Sequence, residues 1–209
     1  MQNNHIERSS QLFYAQLILI GLAIALLTAA GQGTLPVLTP ALILSEITPI
    51  SFGIWTILFG SVFLGIARLL APRTRENFLQ QILATIGIGL LIDVGYMLFK
   101  GIASASFLSQ VFFVLVGCLL LAGATYLQTE SQQFVFSADV LTNAIEQRSG
   151  MHLTNNFHVI DSIGLISGIL MAYFIWQSFH GIGMATFIPP FLVPYFYYLI
   201  DQAVMKLEG

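Results

Sequence analysis

QTESQQFVFSADVLTNAIEQRSGMHLTNNFHVID, residues 128–161, is a polar interruption between two long apolar runs, and it is longer than a connecting loop needs to be. Within it, Ser137 is placed to cap a short helix. Val140, Leu141, Ala144 and Ile145 would share one face of that helix, while Asp139, Asn143 and Glu146 point away. The stretch therefore reads as an amphipathic helix set into an otherwise apolar chain. A shorter relative, GQGTLPVLTPALILSEITPISFG at residues 31–53, follows the first apolar run, and the pair suggests one unit used twice.

Around these two stretches the composition is that of a membrane protein. Of 209 residues, 56% are hydrophobic and 8% charged, against roughly 25% charged in soluble domains. Lipid is the expected solvent, and a single integral membrane domain over 1–209 the expected organisation. The net charge of −3 and the scattered basic residues argue against nucleic acid and against an acidic ligand. The single cysteine, Cys118, lies in an apolar run, so neither a disulfide nor a cysteine metal site can form within the chain. The first run, LILIGLAIALLTAA, ends in small residues as a signal peptide does. It has only Arg8 before it and a counterpart later in the chain, and is therefore kept as a span.

With about 20 apolar residues per crossing, helices are expected at 11–30, 51–71, 78–99, 106–127, 156–178 and 182–200. Arg8, Arg68, Arg73, Arg75, Arg148 and Lys206 then fall on one side and Lys100 on the other, which predicts cytoplasmic termini. Three spans per half is an odd number, so a duplicated half must enter the membrane upside down. The expected fold is all-helical: two inverted three-helix repeats, about 11–99 and 106–200, each with an amphipathic or re-entrant segment after its first helix. Residue correspondences support the repeat. Ile20-Gly21 answers Val116-Gly117, TPALILSEI answers SADVLTNAI, Ser51-Phe52 answers Asn156-Phe157, and Thr85 answers Thr186.

SADVLTNAI at 137–145, FHVID at 157–161, ISFG at 50–53 and GIGMATFIPPFLVP near the end together resemble the YitT/YczE family of bacterial integral membrane proteins, more closely its short YczE-like branch. The resemblance implies a six-span protein of the bacterial cytoplasmic membrane. Pro189-Pro190 stands where that pattern would have small or aliphatic residues.

Carboxylates inside spans are costly, nominally about 2.5–3.5 kcal/mol at the centre, and so are functional candidates. Asp93 is expected about 9 Å deep from the outer side and Asp161 about 8 Å deep from the cytoplasmic side, from the helical rise. With no basic residue in the apolar core to pair with them, a proton or cation is the expected visitor. Their alternative role is to lock helices together through hydrogen bonds. Backbone breaks add a second signal, at Gly31, Gly33 and Pro36, at Gly87 and Gly89, and at Pro189, Pro190 and Pro194. Trp55, Trp176 and the tyrosines of the last helix read as interfacial anchors, and His180 as part of an outer turn. His152 and His158 lack a third ligand at metal spacing, so no metal or other cofactor is expected. The chain also carries no phosphate loop or nucleophile motif, so an enzyme is not expected.

The expected function is a small secondary transporter or exporter of an unidentified solute, coupled to protons or cations through Asp93 and Asp161. Thr85 and Thr186 would be equivalent polar contacts, and Asp139 or Asn143 part of a cytoplasmic gate. Two alternatives belong to other classes: a non-transporting regulatory or scaffold partner, and the substrate-binding subunit of an energy-coupled uptake system. The expected partners are the bilayer and a small solute, with no nucleic acid. The glycines at 60, 65, 164 and 168 fit contacts within one chain as readily as a homodimer or a membrane partner protein.

Overall fold

The computed structural model describes the backbone at residues 2–71, 78–103, 105–131, 133, 135–150 and 159–208, with side chains from Gln11 onward except at 102, 103 and 208. The described elements are all helical. They are α1 (Gln2–Ala29), a one-turn 3-10 helix η1 (Pro36–Leu38), α2 (Thr39–Ile47), α3 (Phe52–Leu70), α4 (Phe78–Ala103), α5 (Phe107–Ser131), α6 (Ser137–Ser149), α7 (Val159–Trp176), α8 (Met184–Phe187) and α9 (Pro189–Glu208). Five segments are long and apolar enough to cross a bilayer: Gln11–Ala29, Phe52–Leu70, Phe78–Gly101, Phe107–Ser131 and Val159–Trp176. The chain is a multi-pass membrane protein.

The exposed surface agrees with this. Ile54, Leu58, Val62, Ile66 and Leu69 form an exposed stripe along α3, and Ile163, Ile166, Leu170 and Phe174 a second along α7. Apolar stripes of this extent are a solvated face only in lipid. At the centre lies α1, whose Ala23, Ile24, Ala25, Leu27 and Ala29 are buried and which packs along both α4 and α5. Small residues set these crossings: Gly21 lies against Leu91, Gly95 against Ala25, and Gly117 against Leu27.

The two amphipathic segments do not lie flat on the surface. Ser137, the first residue of α6, packs against Gly60 midway along α3, and the helix then runs beside α3 until Asn143 and Ala144 reach Ala67 and Arg68. In the same way Thr39, the first residue of α2, packs against Gly168 midway along α7, and Glu46 near the end of α2 reaches His180 beyond the end of α7. Each is a half-length helix that starts in the interior and runs toward one end of the bundle. Gly31 and Gly33, both at positive φ, turn the chain back inward after α1. Thr34 in that turn is fully buried, and its hydroxyl accepts a hydrogen bond from Thr28 at 3.0 Å.

Two expectations are corrected. Ser137 does not cap α6: the helix begins at Ser137 itself, Phe136 flanks it, and there is no side-chain cap. Asp139, Asn143 and Glu146 are less buried than Val140, Leu141 and Ala144, as the amphipathic pattern requires, though packing against α3 and the interior leaves them half-buried. The helix expected over 182–200 is broken at Ile188 into α8 and α9, and α9 continues to Glu208. Consecutive prolines, which supply no N–H, explain the break.

A Cβ added at Gly164 would meet the Val37 Cα at 2.5 Å and the Pro36 carbonyl at 2.7 Å, both of them backbone. Gly164→Ala should therefore lower stability by about 1–3 kcal/mol, read as a fall in the unfolding temperature in detergent. Gly65→Ala, with nothing within 4 Å, should stay within about 0.5 kcal/mol of the parent.

Candidate functional site

Where the inner ends of the half-helices meet, a cavity of about 400 Å³ opens. Its floor is Leu35, Pro36 and Val37 leading into α2, and its walls are Leu121 and Thr125 of α5, Phe136, Ala138, Asp139 and Thr142 of α6, and Ile160 and Asp161 of α7. The start of α9, Pro189 to Pro194, closes the remaining side. The space exists because α7 and α9 hardly touch, although α9 packs closely on α5.

The chemistry of the wall follows from what its polar groups already do. The Thr125 hydroxyl donates to the Leu121 carbonyl and that of Thr142 to the Ala138 carbonyl, each at 3.0 Å, so both are engaged within their own helices. Phe191 and Leu192 N–H both donate to the Ile188 carbonyl, and Pro189 and Pro190 have none to donate. The carboxyl groups of Asp139 and Asp161 are the charged groups of the wall. Among the described lining residues there is no Lys, Arg or His.

The six sequence candidates are not all brought together. Asp139 and Asp161 share the cavity, each in the first turn of its own helix. Asn143 lies one face further round α6, in a narrow cleft with Arg68 and Gln81. The Thr85 hydroxyl donates to the Gln81 carbonyl at 2.9 Å, and its methyl group lies against Gly60 beside Ser137. Thr186 is buried against Gly33.

Asp93 is at the opposite end, in a different role. Its carboxylate accepts from the Ser51 hydroxyl at 2.5 Å and from the Gly53 N–H at 2.7 Å, so it caps the first turn of α3 from across the helix pair. Directly beneath, Gly53 and Gly89 bring the α3 and α4 backbones into contact, and a Cβ at Gly53 would land on the Gly89 carbonyl oxygen. Ser51 and Gly53 were not singled out as partners of Asp93 in the sequence. The signal present was a serine immediately before an apolar helix, next to a glycine.

Beyond the end of α7, His180 Nε2 lies 3.0 Å from Glu46 and its ring 5.0 Å from that of Trp176, and the Trp55 indole donates to Thr48 at 2.9 Å. His152, His158, Arg73 and Arg75 lie outside the described residues. Among the described residues no group of three or more His, Cys, Asp or Glu could hold a metal ion.

The family model for DUF6198, a family of unknown function, matches residues 8–202. The chain belongs to that family. No curated protein and no solved structure matches the chain. The likeness to the YitT/YczE family therefore rests on the short patterns quoted above.

Hydrogen bonds to a charged acceptor contribute about 1.5–3 kcal/mol. Asp93→Ala should thus destabilise the protein by about 2 kcal/mol, and Asp93→Asn, which still accepts from the Gly53 N–H, by roughly half of that. Thermal unfolding of the two variants side by side in one detergent checks the order.

Proposed function

We propose that this chain is a small secondary carrier made of two inverted halves, with its solute site in the cavity and with proton or cation coupling through Asp139 and Asp161. The first half is α1 to α4. The second is α5 to α9, its last crossing made by α8 and α9 together. Reciprocal packing supports the inversion: α6 packs on α3, while η1 and α2 pack on α7. Both half-helices start against a mid-helix glycine, Ser137 at Gly60 and Thr39 at Gly168, and they run toward opposite ends. Broken helices that start at mid-depth between inverted halves are where carriers of this kind place their sites.

The halves differ in one respect, and this difference carries the reading. Setting Thr186 opposite Thr85 places Pro190 where Gly89 stands and Pro194 where Asp93 stands. In the first half those positions draw α3 and α4 together through the glycine contact and the Asp93 cap. In the second half they line the cavity between α7 and α9. One closed half and one open half are what alternating access requires of two related units. Asp93 then serves as a fastening of the closed side, and Asp139 and Asp161 as the groups that meet the solute.

Orientation follows the basic residues. Arg68, Arg148 and Lys206 lie in the last turns of α3, α6 and α9, and Lys100 in the last turn of α4. This supports a cytoplasmic membrane location with both termini inside. Reporter fusions at either end should give cytoplasmic signals, and a periplasmic signal from either would reverse the assignment.

Proteoliposomes containing the chain should accumulate or release at least one solute of a labelled metabolite panel when a pH gradient is imposed. Asp139→Asn with Asp161→Asn should remove the gradient dependence. Equal flux from parent, double variant and empty vesicles across the panel would defeat the carrier reading.

A further inference from the structure

Two glycine turns interlock at the end of the bundle where α1 stops. Gly33, at φ +87°, has no room for a side chain: a Cβ there would meet the Thr186 hydroxyl at 2.5 Å, the Gly181 carbonyl at 2.9 Å and the Gly183 nitrogen at 3.0 Å. A Cβ at Gly183 would in turn meet the Gln32 carbonyl at 2.8 Å. Among the described residues one backbone hydrogen bond joins the two turns, from the Ala185 N–H to the Gln32 carbonyl at 2.9 Å. The Gln32 side chain donates to that of Gln110, also at 2.9 Å, and so ties the interlock to α5. Gly181 lies over Leu42 and Ile43 of α2.

From this interlock the chain runs into the cavity on both sides. Leu35 and Pro36 follow the first turn, Pro189 and Pro190 follow α8, and all four line the cavity. α8 itself is a four-residue helix between two breaks. Gly181, at φ +77°, and Gly183 precede it, while Pro189 and Pro190 after it cannot donate to the Ala185 and Thr186 carbonyls. The side chains it buries are small. Ala185 belongs to a cluster with Leu27, Ala30, Val114 and Cys118, Thr186 lies on Gly33, and Phe187 is exposed. Lifting α8 would therefore uncover little apolar surface of its own, which is the property of segments that open locally. We infer that α8 and the 181–183 turn form a lid over this end of the cavity, pinned shut by the Gln32–Gln110 hydrogen bond. The inference rests on the carrier reading of the cavity and gives that reading the element that opens at the Ala29 end of α1.

Cys118 is the single cysteine of the chain and is fully buried in the cluster that holds Ala185, so it reports on the lid without any added label. The full-length protein in detergent, well below its unfolding temperature, is treated with a small charged methanethiosulfonate, which reacts where water reaches the thiol, and modification is followed by mass. Gln110→Ala and Gln32→Ala should each speed the reaction about fivefold or more, the effect of losing one side-chain hydrogen bond. Asp93→Ala, which unfastens α3 from α4 instead, should stay within about twofold of the parent. Unchanged rates in the glutamine variants would overturn the inference. So would equal acceleration in Asp93→Ala, which marks a general loosening of the bundle. The two glutamine variants remove the same pin from opposite sides, so one suffices if the other fails to fold. Labelling needs no solute: faster labelling with no flux in proteoliposomes would keep the lid and end the carrier reading, and flux with unaltered labelling would do the reverse.

Discussion

Backbone polar groups buried in hydrocarbon must find partners inside the protein, and this constraint governs the two half-helices on which the rest of the structure depends. Their starts cannot lie in lipid. Each is seated on a spanning helix at a glycine, α6 at Gly60 and α2 at Gly168, where the absent side chain lets the incoming backbone approach. The arrangement commits α3 and α7 to carry a second helix along one face, and so fixes which faces remain for lipid. The apolar stripes from Ile54 to Leu69 and from Ile163 to Phe174 are those remaining faces.

The cavity follows from the same seating. Two half-helices that begin in the interior leave space between their starts, and whether that space closes depends on the neighbouring spanning pair. Glycines at 53 and 89, fastened by Asp93, close α3 on α4. Prolines at 190 and 194 give α9 bulk and remove donors, and α7 stands apart from it. In the proposed inverted repeat these are equivalent places, so a few substitutions between the two halves are enough to turn a contact into an open cavity. The carboxylates there occupy first turns of helices, where the local field favours negative charge, and this lowers the cost of keeping them in an apolar wall.

Much of the architecture could be read from the residues. The membrane setting, the limits of α3, α4, α5 and α7 to within a few residues, and the short helix at 137–149 all follow from runs of apolar residues bounded by polar or glycine-rich breaks. The last helix was less legible. A proline pair reads as an interruption, but only the packing shows that the helix resumes at once and runs to Glu208.

Composition and periodicity by themselves determined that this is an all-helical membrane protein with an amphipathic helix in its second half, because the free energy of placing residues in lipid is local to each segment. They also marked Asp93 and Asp161 as unusual. Tertiary structure alone decided that Asp93 caps a neighbouring helix, that Asp161 instead shares a cavity with Asp139, and that Thr85 and Thr186 contact glycines away from it. The physical reason is that a side chain's role inside the bundle depends on what crosses it from distant parts of the chain. Two aspartates that look alike in sequence diverge once one meets the Ser51 hydroxyl and the Gly53 N–H at the start of α3 and the other lines a cavity between helices.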